Sequence, residues 1–293
     1  IHVVRSRFYL LQIRPTWSLM TISKAGRPIT TLEEWGEHAG PKSDIHWKAG
    51  RSAVESARSW LSCETGAMPS DIMALMASHA QFGAVLNWSA EPEARLMFDN
   101  LREEPRNTDL PVKARDAFGD YLIALEAKPD EPFGQSVAKT LDAAKLRLAE
   151  NASSGGVKRI NGLLAALFGS SLDLEPELGG LPYQLLTATA GAVAEALRQR
   201  VGRVVLLVQE FRTDFTVDSM HRDNSAALDA FITRLSLGKV QHVATGELVG
   251  PFTLQGAVLF RACPDIYVGK VVHEQRRSAA KIAMFLSHGF ESE

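Results

Sequence analysis

Two charged residues stand where apolar ones are expected. The run Tyr121-Leu122-Ile123-Ala124-Leu125 has the composition of a buried strand, yet it continues directly into Glu126 and Lys128. A charge taken out of water without a partner costs several kcal/mol or changes its protonation state, so buried strands carry few. On a pleated strand residues two apart share a face. Glu126 and Lys128 therefore stand side by side, Ala127 faces the other way, and Pro129 stops the ladder. Upstream, Asn107 to Val112 reads as the start of a short strand. Asp116-Ala117-Phe118-Gly119 reads as a turn, with Gly119 supplying the unusual backbone angles. The two runs pair as a hairpin, which brings Asp109 toward Glu126 from the neighbouring strand. Two carboxylates near one lysine make an oxygen-ligand cage for Mg²⁺ (or Mn²⁺), which keeps several waters and takes few protein carboxylates. The competing reading is an ion pair at a strand end.

This arrangement resembles the PD-(D/E)XK nuclease superfamily, with Asp109 as the first acid and Glu126-Ala127-Lys128 as the acid-x-lysine element. Thr108 stands where that pattern often has proline. The likeness covers the segment from Glu91 to Gly134, under a fifth of the chain. It implies an α/β fold with a restriction-endonuclease-like core, a mixed sheet flanked by helices, beside a helical N-terminal accessory region. It also implies metal-dependent hydrolysis of a phosphodiester in DNA. Asp109, Glu126 and Ala127 are then expected at the metal, and Lys128 at the attacking water. Relatives of this kind often add a carboxylate from the helix before the hairpin. Ala90 to Phe98 reads as such a helix, with Pro92 in its first turn, and makes Glu91 or Glu93 the candidate, Glu91 being the expected metal ligand. A glutamine on a neighbouring helix often supports the lysine, which singles out Gln184. Many such nucleases act as dimers, so a homodimer is among the expected assemblies.

The elements that must position these residues follow along the chain. Thr30 or Thr31 caps a helix with carboxylates in its first turn, and Ser52 with Glu55 reads as a capping box. His46, Trp47, Lys48 and Arg51 cluster before the second helix, where an anion can bind or the charges can simply be solvated. This stretch also resembles bacterial proteins carrying a domain of unknown function, which adds no activity. Pro69 to His79 is a helix and Phe82 to Trp88 has strand character. Beyond the hairpin, Gln135 to Glu150 is an amphipathic helix, Ile160 to Phe168 a short apolar one, and Gly169 to Pro182 a loop. Tyr183 to Arg200 is a long helix whose face carries Gln184, Ala188, Gly191 and Glu195. Arg203 to Phe211 is nearly all apolar, as a strand covered on both faces should be. Asn224 to Leu235 is helical, short strands follow at Val240–Val243, Val258–Phe260 and Ile266–Val268, and a last helix holds Arg276, Arg277 and Lys281.

With 293 residues, 45% of them apolar, the chain can bury a sizeable core. The net charge of −2 gives no global attraction to nucleic acid, so binding rests on a local patch. Cys63 and Cys263 have no zinc spacing, and a reducing, cytoplasmic setting fits them. No apolar run reaches the length of a membrane span. Residues 1–19 read as a leader or disordered segment before Met20, with a genuine N-terminal strand as the alternative, 20–88 as the accessory region and 89–293 as the nuclease-like domain. There is no GxGxxG, no phosphate loop ending in GK[ST], no GxSxG and no HExxH. The expected activity is thus hydrolysis of DNA. The alternatives are a non-catalytic nucleic-acid-binding or protein-interaction module on the same fold, and a metal-dependent hydrolase of another phosphorylated molecule.

Overall fold

A computed structural model describes residues 20–41, 47–64, 66–101, 107–129, 131–256 and 263–275. The expectations for residues 1–19, His46, Val258–Phe260 and the last helix with Arg276, Arg277 and Lys281 lie outside the described residues. The described chain opens with strands β1 (Thr21–Lys24) and β2 (Arg27–Pro28) and helices α1 (Leu32–Ala39), α2 (Ser52–Leu61) and α3 (Ser70–Ala77). Then come β3 (Asn87–Ala90), β4 (Ala94–Arg95), β5 (Asn107–Thr108), β6 (Leu110–Asp116) and β7 (Gly119–Lys128). The second half holds α4 (Val137–Glu150), α5 (Gly156–Phe168), a 3-10 turn at Pro176–Gly180, α6 (Tyr183–Gln199), β8 (Arg203–Arg212), α7 (Asp218–Leu235), β9 (Leu248–Phe252) and β10 (Asp265–Glu274).

The architecture is mixed α/β. Among the described residues eight strands form one sheet in the order β2-β1-β3-β6-β7-β8-β10-β9, and β4 and β5 form a separate ribbon. The pairs β3–β6 and β6–β7 are antiparallel, whereas β7–β8 and β8–β10 are parallel. Each parallel step needs a long crossover, and helices supply it: α4 to α6 between β7 and β8, α7 between β8 and β10. Alternation then sorts the side chains. Tyr121, Ile123, Leu125, Ala127, Val205, Leu207 and Tyr267 pack on one face against Trp35, Trp60 and Ile72 of α1 to α3. Leu206, Val208, Ile266 and Val268 pack on the other face against α4 to α7, with Leu122, Ala124 and Val204 beside Ala192 and Ala196 of α6. Residues 20–88 therefore supply β1, β2 and the start of β3 to the very sheet that carries the candidate site, and close one of its faces with α1 to α3.

The hairpin expected from the sequence is present. The β6–β7 register runs from Leu110↔Leu125 to Asp116↔Gly119, and Gly119 has φ of 118°. The α1 cap is Thr31, with Glu34 closing a capping box. The box expected at Ser52 and Glu55 is absent. Glu55 instead accepts from the Gly50 amide at 2.7 Å and from Arg58 at 3.0 Å, while Ser52 donates to Glu131 at 2.9 Å. The helix expected over Ala90 to Phe98 is also absent. β3 ends at Ala90, Glu93 turns through a positive φ of 51°, and Lys24 Nζ binds the carbonyls of Pro92 and Glu93 at 2.7 and 2.9 Å. Those carbonyls are thereby withdrawn from any helical ladder. Val240–Val243 forms no strand, and the Gly169–Pro182 loop contains the 3-10 turn.

Candidate functional site

Asp109 sits at the break between β5 and β6, where the chain leaves the small ribbon for the main sheet. Its Oδ2 accepts the Ala127 amide at 2.8 Å, which fastens it against the end of β7. Alternation puts Glu126 and Lys128 on the face covered by α4 to α7, and each is only 1% exposed. Extending the β6–β7 ladder by one residue sets Asp109 opposite Glu126. The structure thus brings together Asp109, Glu126 and Lys128 at one end of the sheet. Ala127 is fully buried, its methyl in the opposite core and its amide on Asp109.

Gln184 comes down from the first turn of α6, a helix with small residues at Ala188 and Gly191 that approaches the sheet closely. Gln184 donates through Nε2 to Glu126 Oε2. This corrects the expectation that it supports Lys128: from α6 the amide meets the acid. Its Oε1 is buried and has no hydrogen-bond partner among the described residues. Lys128 is equally short of partners. Among the described residues its ammonium makes no hydrogen bond and no ion pair, and it lies 5.3 Å from the centre of the Phe133 ring. Phe133 belongs to the loop after β7, tied down by Ser52 on Glu131 Oε1 and by Asn224 on the Glu131 carbonyl at 3.0 Å.

Glu91 does not join this group. It lies 3.5 Å from Lys24, on the rim of a polar groove that also holds Lys113, Glu195 and Arg198. Among the described residues no group of three or more His, Cys, Asp or Glu side chains converges as a metal would require. Glu195, on the same face of α6 as Gln184, is spent on Arg198 at 2.5 and 2.8 Å. Partial burial pushes its carboxyl up, but bonds from Arg198 and Gln199 outweigh this and hold it below the usual range.

Two residues absent from the sequence reading belong to the same end of the sheet. Glu210 on β8 pairs in register with Lys128, is 2% exposed, and accepts from Arg212 Nε at 2.8 Å on Oε1, with His221 Nδ1 3.2 Å away. Lys270 on β10, 6% exposed, donates to Ser225 of α7 at 2.6 Å. The signal was an acid and a lysine inside two apolar strands, the same anomaly that marked β7.

The donor set tests whether a metal suits the place. Asp109 and Glu126 offer only carboxylate oxygens, and Mg²⁺ and Mn²⁺ prefer such hard ligands and complete their shell with water. Asp109 and Glu126, opposite one another across adjacent strands, are the donors such an ion would take. Among the described residues no helix is long and apolar enough to cross a membrane. No curated protein and no solved structure matches the chain. The whole sheet up to the start of β10 and every described helix fall within residues 28–265, apart from β1 and the first residue of β2, and that span matches the family described as Domain of unknown function (DUF6946), to which the chain belongs.

Proposed function

We propose that the protein is a PD-(D/E)XK-like, restriction-endonuclease-like hydrolase that cleaves phosphodiester bonds of DNA with Mg²⁺ or Mn²⁺. The observation that carries this reading is Lys128, a buried lysine whose ammonium has no acidic partner among the described residues although Asp109 and Glu126 stand at the same strand end. A lysine kept for stability would be ion-paired, because an uncompensated buried charge is costly. A lysine kept for a phosphate is left without one. Asp109 and Glu126 would hold the metal, which when bound polarises the phosphate and acidifies its water. Gln184 holds the Glu126 carboxylate in one orientation. Lys128 offsets negative charge that builds on the phosphate and orients the attacking water through its N–H groups. Phe133 limits water at the ammonium, which strengthens its field.

The experiment is incubation of the purified chain with plasmid and single-stranded DNA in Mg²⁺, Mn²⁺ or EDTA, with calorimetric Mn²⁺ titration alongside. Wild type is expected to cleave only with metal. Lys128→Ala is expected to lose cleavage, by a factor on the order of a hundred or more, while still binding Mn²⁺, since lysine is no metal ligand. Glu126→Ala is expected to lose both. Cleavage by Lys128→Ala at the wild-type rate would remove this site from the chemistry.

A second reading is favoured by one observation: Glu126 and Lys128 are both 1% exposed. A non-catalytic binding module that keeps the fold would bury them in this way. Absence of Mn²⁺ binding and of cleavage on any DNA or RNA would give that reading the lead.

A further inference from the structure

The parallel strands β7, β8 and β10 end on the same side of the sheet, where ligands of open α/β sheets gather. Two lysines are buried there on the same face. Lys128 pairs in register with Glu210, and Lys270 pairs with Val208, which in turn pairs with Glu126. Two strand spacings therefore separate Lys270 from Glu126, roughly 10 Å at the backbone.

The charges around them do not cancel pair by pair. Glu210 is matched by Arg212, and Glu126 is held by the neutral Gln184. Among the described residues no carboxylate lies within ion-pairing distance of Lys128 or of Lys270; the latter has only the Ser225 hydroxyl. Two buried ammonium groups without acids are an energetic debt that an anion with two charged groups settles. Successive phosphates of one nucleic-acid strand have this character. Taking the hydrolase reading of the site as premise, we infer that Lys270 is a substrate-binding residue that seats the phosphate next to the scissile one, with Lys128 on the scissile phosphate itself. Ser225, at the second turn of α7, is the residue that points Lys270.

The test uses the full chain and a fluorescein-labelled single-stranded DNA oligonucleotide in EDTA, with binding measured by anisotropy across a range of salt. Lys270→Met is expected to weaken binding several-fold and to lower the slope of log Kd against log salt by about 0.7, one phosphate contact on a single strand. Lys270→Arg is expected to keep the wild-type slope. Without DNA, the melting temperature of Lys270→Met is expected at or above that of wild type, because the variant removes a buried charge that has no acid beside it. An unchanged slope in Lys270→Met, loss of slope in Lys270→Arg as well, or collapse of the Lys270→Met fold would each overturn the inference. If wild type cleaves DNA in Mg²⁺ but the Lys270→Met slope is unchanged, the hydrolase stands and Lys270 falls. If wild type never cleaves but the slope drops, Lys270 remains a phosphate contact and the hydrolase falls. A wild type that binds no nucleic acid overturns both.

Discussion

At the scale of single residues, the two ends of the sheet show opposite ways of burying charge. At one end Arg203 is almost fully satisfied. It forms a two-pronged bond to Asp116 at 2.7 and 2.9 Å, reaches the Gly119 carbonyl at 2.8 Å, and lies between the rings of Phe82 and Tyr121 at 4.9 and 5.1 Å. Burial pushes the Asp116 carboxyl up, but Arg203 and the amides of Gly83 and Phe118 more than offset this and hold it below its usual range. At the other end Lys128 and Lys270 form no ion pair among the described residues. The contrast between paired and unpaired buried charge has a measurable sign. Arg203→Met is expected to destabilise the fold by about 3–5 kcal/mol, since it strands Asp116 in the interior. Lys128→Met is expected to be neutral or stabilising. Urea unfolding of both variants checks the pair, and equal losses would mean that Lys128 is as structural as Arg203.

At the scale of elements, the hairpin was legible because its determinants are local. Gly119 supplies a φ that other residues resist, and the alternation along β7 fixes which side chains share a face. Gly119→Ala is expected to cost about 1 kcal/mol or more through backbone strain alone, since nothing lies within 4 Å of the added methyl; a chevron or urea curve measures it. The stretch from Ala90 to Phe98 misled because Pro92 followed by Glu93 imitates the first turn of a helix, whereas its carbonyls are claimed by Lys24 from β1, far away in the chain. The supposed box at Ser52 failed for a like reason, as Glu131 takes the serine and Gly50 takes the glutamate. Glu210 and Lys270 escaped the sequence reading altogether. Each is a single charge in an apolar run, and its meaning depends on a parallel register that no local pattern encodes. Gln184 was found by its helix, but its partner, Glu126 rather than Lys128, depends on how α6 crosses the sheet.

For the whole molecule, acid should act through the arginine-held carboxylates. The Arg159 guanidinium, at 2.6 and 3.0 Å, is the main cause holding Asp99 below its usual range, and Asp116 is lowered by Arg203. A carboxyl with a depressed pKa in the folded state binds its proton more readily once unfolded. Its stabilisation is complete above the unfolded value, near 4, and is lost as pH falls through the folded value. Thermal midpoints are therefore expected to be flat from about pH 7 to 5 with respect to these groups and to fall below about pH 4. In Asp99→Asn the acid limb of that curve should be shallower, because one proton-binding difference has been removed. A curve superimposable on wild type would exclude the Asp99–Arg159 pair from acid unfolding.

The parallel placement of β7 beside β8 also has a consequence during synthesis. The hairpin of β6 and β7 can close as soon as it emerges, but β8 and β10 follow only after three helices and then one more. At translation rates of roughly 5–20 residues per second, β7 waits seconds for its partner, a ready template for pairing with another chain. Glu126 and Lys128, the only charges between Tyr121 and Pro129, are at that stage exposed and hydrated. They act as gatekeepers on an otherwise sticky edge until the crossover buries them. Residues proposed for phosphate chemistry would thus also guard the nascent chain, and variants that replace both with apolar residues should aggregate before folding is complete even where the finished fold tolerates them.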